Sequence, residues 1–131
     1  MYFRYCQYHA KFKSEQLSIR EIMMLNAPPV VAEYLDAERS KDARRLSLCF
    51  AENGLVRDEG KERRGRAAIR QWKEEADAKY RYVSEPLVAS AHHDTVTVRA
   101  RLTGDFPGSP VELSQVFTID DGKIVSLEIH S

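Results

Sequence analysis

Apolar positions along the chain change period once. From Pro28 to about Tyr80 they recur at helical spacing, and from Tyr82 onward they alternate. Asn26 can cap a helix that opens at Pro28-Pro29, where a missing backbone N–H costs nothing in the first turn. Val30, Val31, Tyr34, Leu35 and Glu38 then share one stripe, which puts Tyr34 on the buried side. Ser40-Lys41-Asp42 interrupts the pattern, and Ala43 to Ala51 resumes it with Leu46, Cys49 and Phe50 inward, closing at Asn53-Gly54. Leu55-Val56-Arg57 reads as a short strand and Gly60 to Gly65 as a charged connection. A third helix follows, with Ile69, Trp72, Ala76 and Tyr80 inward and Arg70, Lys73, Glu74 and Asp77 on a polar face.

Beyond Tyr82, Val96, Val98, Ala100 and Leu102 alternate with Thr95, Thr97, Arg99 and Arg101, the mark of a strand with one buried face. His92-His93-Asp94 and the 104–110 segment, Gly-Asp-Phe-Pro-Gly-Ser-Pro, read as turns. Val111 to Ile119 and Lys123 to His130 form a last hairpin around Asp120-Asp121-Gly122. Three helices followed by strands make an α+β domain in which the helices cover one face of the sheet, with room for a ligand between the layers. On the last strand the apolar Val125, Leu127 and Ile129 are expected to face that space, and Ser126, Glu128 and His130 to face outward.

Residues 1–25 differ from the rest, since Tyr2, Phe3, Tyr5, Tyr8 and Phe12 are five of twelve aromatics in the chain. An aromatic and basic segment can stack on bases, but the reading preferred is an appendage, either a short helix with Ser14 as N-cap or a start-site artefact ahead of Met23 or Met24. The domain proper is 26–131. Its length suits one domain among the 131 residues. Twenty basic and twenty acidic side chains cancel, so no global field draws the protein to nucleic acid or to an anionic membrane. Cys6 and Cys49 read as reduced thiols, and no apolar run approaches a membrane span. The expectation is a cytoplasmic protein with neither a nucleic-acid nor a membrane partner.

Motif chemistry narrows the choice further. There is no phosphate-binding glycine loop, nucleophile elbow, metal-spaced cysteine pair or dinucleotide fingerprint. His92 and His93 are neighbours on a strand, pointing to opposite faces, so they do not chelate one ion. No metal or cofactor is expected, which leaves cofactor-independent chemistry as the enzymatic option.

The order helix, helix, short strand, helix, long sheet, with FAENGLVRDEGKERRGRAAIRQW (50–72), GDFPGSP (104–110) and DDGKIVSLEI (120–129), resembles the SnoaL-like branch of the nuclear transport factor 2 superfamily over residues 28–130. The resemblance implies a cone-shaped, curved antiparallel sheet wrapped by three helices. It also implies an apolar pocket for a hydrophobic small molecule and a homodimer through the outer sheet face. That fold hosts isomerases, cyclases, epoxide hydrolases, dehydratases and proteins without chemistry, so it does not by itself give function. By similarity to ketosteroid isomerase, which uses an Asp base and an oxyanion hole of Tyr and protonated Asp, Asp58 matches the base and Tyr34 the Tyr. Ser114 stands where the protonated Asp is expected and is a weaker donor. Trp72 is expected as a pocket wall and Phe106 at its mouth, with Val116, Leu127 and Ile129 lining the cavity. Two readings follow. One is a cofactor-free enzyme acting on a hydrophobic carbonyl compound. The other is a non-catalytic ligand-binding or dimerisation module, in which Asp58 would be paired to Arg57 or Arg64 at the surface.

Overall fold

A computed structural model describes residues 28–131. The expectations for residues 1–25 and the Asn26 cap lie outside the described residues. Helix α1 (Pro29–Arg39) opens directly after Pro28. Helix α2 (Ala43–Leu48) is capped by Asp42, whose carboxylate accepts from the Arg45 N–H at 3.0 Å. Strand β1 (Phe50–Asp58) and the short β2 (Lys61–Arg64) form a hairpin, and α3 (Arg66–Lys79) follows. Strands β3 (Tyr82–His92), β4 (Thr95–Gly104), β5 (Val111–Asp120) and β6 (Lys123–His130) complete one six-stranded sheet in the order β2-β1-β6-β5-β4-β3. Among the described residues no helix is long and apolar enough to cross a membrane.

The second helical pattern stops earlier than its periodicity suggests. Phe50 already belongs to β1, and Asn53-Gly54 lies inside that strand at an irregularity in its pairing with β6. Gly54 passes so close to Phe50 that a Cβ there would stand 2.9 Å from the Phe50 Cβ, and its carbonyl accepts from the Gly65 N–H at 2.8 Å. The glycine therefore serves close backbone approach in a strand rather than ending a helix. The charged 60–65 connection is also more ordered than expected: Glu59 and Gly60 both take positive φ, the geometry of a tight hairpin turn, and 61–64 pairs with β1.

The sheet is mixed rather than wholly antiparallel. β1 runs parallel to β6, because it enters beside β6 from the helical layer instead of through a hairpin, whereas every other neighbouring pair is antiparallel. The helices cover one face, where Val31, Tyr34, Leu35, Leu46, Phe50, Val56, Ile69, Phe117 and Leu127 form the core. Along β6 a bulge opposite Thr118/Ile119 shifts the alternation, so Ile124, Leu127 and Ile129 share the inner face and Val125 drops out of the expected set.

Candidate active site

Register aligns one row of inward positions across the sheet: Asp58 beside Ile129, Ile129 opposite Gln115, Gln115 opposite Val98, Val98 opposite Ala89. Asp58 is the last residue of β1 and shares the inner face with Val56, two residues back. Its carboxylate Oδ2 accepts from the Trp72 indole N–H at 3.0 Å. Neither candidate arginine claims it. Arg57 turns outward to Glu62 at 2.8 Å, and Arg64 donates to the Asn53 carbonyl at 3.1 Å. Burial pushes the half-buried Asp58 above the usual carboxylate range, against the opposing pull of the Trp72 hydrogen bond. Trp72 comes from the middle of α3 and packs on the core, so it both walls the interior and orients the acid.

Tyr34 sits on the inward stripe of α1, wholly buried, with its ring edge-on to Phe117 at 5.0 Å and to Phe50 at 6.0 Å. Its hydroxyl has no hydrogen-bond partner among the described residues, and burial raises it well above a normal phenol. One turn further, Glu38 is also buried, and its Oε2 accepts from Gln115 Nε2 over a long 3.4 Å. Burial raises Glu38, with Lys73 pulling the other way.

Lys73 departs from the sequence reading. It is only 1% exposed, although helical periodicity puts it on the polar face of α3. The actual buried stripe is Ile69 and Lys73, and the ammonium is housed by donating to the Tyr82 hydroxyl and by Asp77 at 2.9 Å, close in distance though poorly aligned as a hydrogen bond. Burial alone would lower Lys73, but Glu38, Tyr82 and Asp77 together hold it above its ordinary value. The Tyr82 hydroxyl is pushed up to about 12, chiefly by burial. Lys41 closes this cluster from outside, 3.8 Å above the Tyr82 ring and donating to the Tyr82 carbonyl at 2.7 Å.

Two expected site residues fall on the other side of the sheet. Ser114 lies opposite Arg99 and accepts from its guanidinium at 3.0 Å, and Val116 lies opposite Thr97. Since inward positions on β5 are Gln115 and Phe117, strand alternation sends Ser114 and Val116 outward. The position facing Glu38 is therefore Gln115, one residue on from Ser114, which the family resemblance puts there. Leu127 and Ile129 do face inward. Phe106 is held in the 104–110 loop by an edge contact with Tyr80, 6.0 Å between rings, while Asp105 and Arg81 exchange hydrogen bonds at 3.0 Å. This loop joins the strand ends that lie at the Asp58 end of the sheet.

Glu38, Gln115 and Lys73 were not identified as site residues from the sequence. The signals existed: an acid one turn from Tyr34 on an apolar stripe, and a polar residue two positions before a core phenylalanine. Among the described residues no cluster of His, Cys, Asp or Glu has the arrangement of a metal site. Two surface depressions lie outside the interior. One of about 470 Å³ is bounded by the α1–α2 connection and α3, and one of about 440 Å³ lies on the outer sheet face around Val88, Thr97, Arg99 and Ser114.

Solved structures share this architecture. A Sinorhizobium meliloti protein provisionally assigned as a polyketide cyclase superposes with a TM-score of 0.77 at 43% identity, covering 80% of this chain and 96% of its own. The epoxide hydrolase/cyclase-like enzyme SalBIII, with a role in pyran ring formation in the polyether salinomycin, superposes with a TM-score of 0.67 at 27% identity over 78% of this chain and 87% of its own. A Catenulispora acidiphila protein with a ketosteroid isomerase-like fold, bound to trimethylamine, matches at a TM-score of 0.72 and 23% identity over 80% of this chain and 86% of its own, a likeness of fold alone. No functionally curated protein matches the chain. The sequence profile of the SnoaL-like domain spans residues 31–127, from the first turn of α1 to the middle of β6, and with this element order and topology the chain belongs to the SnoaL-like domain family.

Proposed function

We propose that this protein binds a hydrophobic carbonyl compound inside the cone and moves a proton on the carbon next to its carbonyl. The observation that carries this reading is the state of Asp58: inward, half-buried, raised by burial and fixed by one neutral N–H donor instead of an arginine. A base needs a defined direction and a proton affinity drawn toward the working pH, and this environment supplies both. In the step itself the ionised Asp58 takes the proton, the C–H electron pair moves toward the carbonyl oxygen, and the Tyr34 hydroxyl donates to the oxygen as its charge grows. Proton abstraction of this kind requires no cofactor. Trp72, Leu127 and Ile129 supply apolar surface near Asp58, and Phe106 guards the same end of the sheet. The family likeness to a cyclase-type protein and to an epoxide hydrolase/cyclase-like enzyme supports chemistry of this general class.

A non-catalytic ligand-binding or dimerisation module is the competing reading, favoured by the complete enclosure of Tyr34, Phe50 and Phe117. In either case we infer a cytoplasmic homodimer joined through the outer sheet face, where Arg99 and Arg101 reach Glu112 across the strands at 3.6 and 3.2 Å around an open apolar depression. The deciding experiment is α-proton exchange of hydrophobic ketones in heavy water, followed by NMR. Wild type is expected to accelerate exchange and Asp58→Asn to lose about a hundred- to ten-thousand-fold of that rate while remaining folded. Equal exchange by both proteins would remove Asp58 from the role of base.

A further inference from the structure

Four buried side-chain polar atoms lack a hydrogen-bond partner among the described residues, and two of them belong to one patch of the interior: the donor Tyr34 Oη and the acceptor Gln115 Oε1. The Tyr34 ring rests against Phe117, and Gln115 is the next inward residue of β5. Glu38 joins them, one helical turn from Tyr34 and bonded to the Gln115 amide. That bond settles which end of the amide is free. A carboxylate accepts, so Nε2 faces Glu38 and Oε1 is left over. Tyr34 and Gln115 are wholly buried and 2% exposed respectively, so water at the surface does not serve either atom. A buried donor and a buried acceptor in one patch are each costly to leave unmatched, and a bound molecule that both accepts and donates completes the two.

A simple ketone completes only one of them, because it accepts and cannot donate. We propose that Gln115 forms a hydroxyl-reading subsite beside Tyr34, and that the preferred ligand is a hydroxy ketone whose carbonyl accepts from Tyr34 while its hydroxyl donates to Gln115 Oε1. Register supports the spacing. Asp58 and Gln115 are separated by a single strand, β6, so their backbones stand two strand spacings apart, about 10 Å. With both side chains reaching inward, a hydroxyl held at Gln115 lies a few bonds from a carbon in reach of Asp58. Glu38 is the positioning residue, holding the amide in the orientation that presents its oxygen. The inference rests on the ligand of the proposed function and is independent of Asp58 acting as base.

The test is calorimetric titration of the full chain with three matched probes: the aldol adduct of acetophenone and acetaldehyde, its methyl ether, and butyrophenone. Wild type is expected to bind the hydroxy ketone about ten- to a hundredfold more tightly than either of the others. Gln115→Leu should abolish that preference while leaving butyrophenone affinity within about twofold. Tyr34→Phe, close in shape to the native residue, should weaken all three ketones together and keep the preference. Circular dichroism of both variants establishes that they are folded, and a Gln115→Leu protein that does not fold leaves the ranking in wild type and in Tyr34→Phe to decide. Equal binding of the three probes by wild type, binding of none of them, or a preference that survives Gln115→Leu overturns the proposal. Asp58→Asn in the same titration should retain the preference, so a failed base and a failed subsite give different results.

Discussion

Asp58 and Glu38 are carboxylates turned into the same interior, and burial raises both, yet they are housed in different ways. Asp58 ends a strand and meets one neutral donor, the Trp72 indole. Glu38 lies in the last turn of α1 in a charged neighbourhood, with Gln115 as its hydrogen-bond partner and Lys73, Tyr82 and Asp77 nearby. A single neutral partner lets a carboxylate change charge without breaking an ion pair, which suits proton transfer. A network containing a buried ammonium resists such a change, because each member's charge stabilises the next. Position on the same inner surface thus does not assign a role; the partners do.

The sharpest way to break this contrast is to remove the cation from the network. Lys73→Met is expected to destabilise the fold by about 3 kcal/mol in urea denaturation, since it leaves the half-enclosed Asp77 with only the more distant Lys41, at 3.8 Å, and the Tyr82 hydroxyl without its partner. A loss near zero would mean that the network is no more than a solvated cluster.

A smaller effect concerns acidity. Both carboxylates hold protons more tightly folded than unfolded, so the unfolded chain releases them first as pH rises. Their favourable contribution is therefore full below about pH 4 and is lost as pH climbs through the raised folded values. Glu38→Gln should flatten this fall: compared with wild type, its stability advantage should grow from mildly acidic to neutral pH and vanish below about pH 4. Urea melts across that range measure it, and a gap that stayed constant with pH would show that Glu38 does not titrate in the fold.

Trp72→Phe sharpens the other half of the comparison. Deleting the indole donor removes the one hydrogen bond that lowers Asp58, so the acid limb of the exchange-rate profile should move to higher pH. An unmoved limb with a reduced rate would mean that Trp72 only orients the acid. The smallest effect is expected for Tyr34→Phe. Deleting a buried hydroxyl without a partner should leave unfolding stability unchanged or raise it by about 1 kcal/mol in the ligand-free protein. A loss of that size would reveal a partner for the hydroxyl.

The Tyr34 stripe, the three helical segments and the alternation of β4 were legible in the sequence, because side-chain period depends only on local backbone geometry. The same rule failed at Phe50 to Gly54, where apolar residues at helical spacing run into a strand whose partner, β6, lies some seventy residues away. It also failed at Val125, which local alternation puts inward and a bulge removes. Ser114 shows how little margin there is: one residue of phase moved a proposed ligand contact to the opposite face.

By itself the sequence determined the element types and the α+β class, which follow from period and turn chemistry, and its family resemblance made Tyr34, Asp58 and Trp72 candidates. Only the tertiary structure decided that β1 runs parallel to β6, that Asp58 meets Trp72 rather than an arginine, and that Lys73 and Glu38 are enclosed. Those outcomes depend on register between distant strands and on which long side chains find partners when helix and sheet close together, and neither is encoded in spacing along the chain.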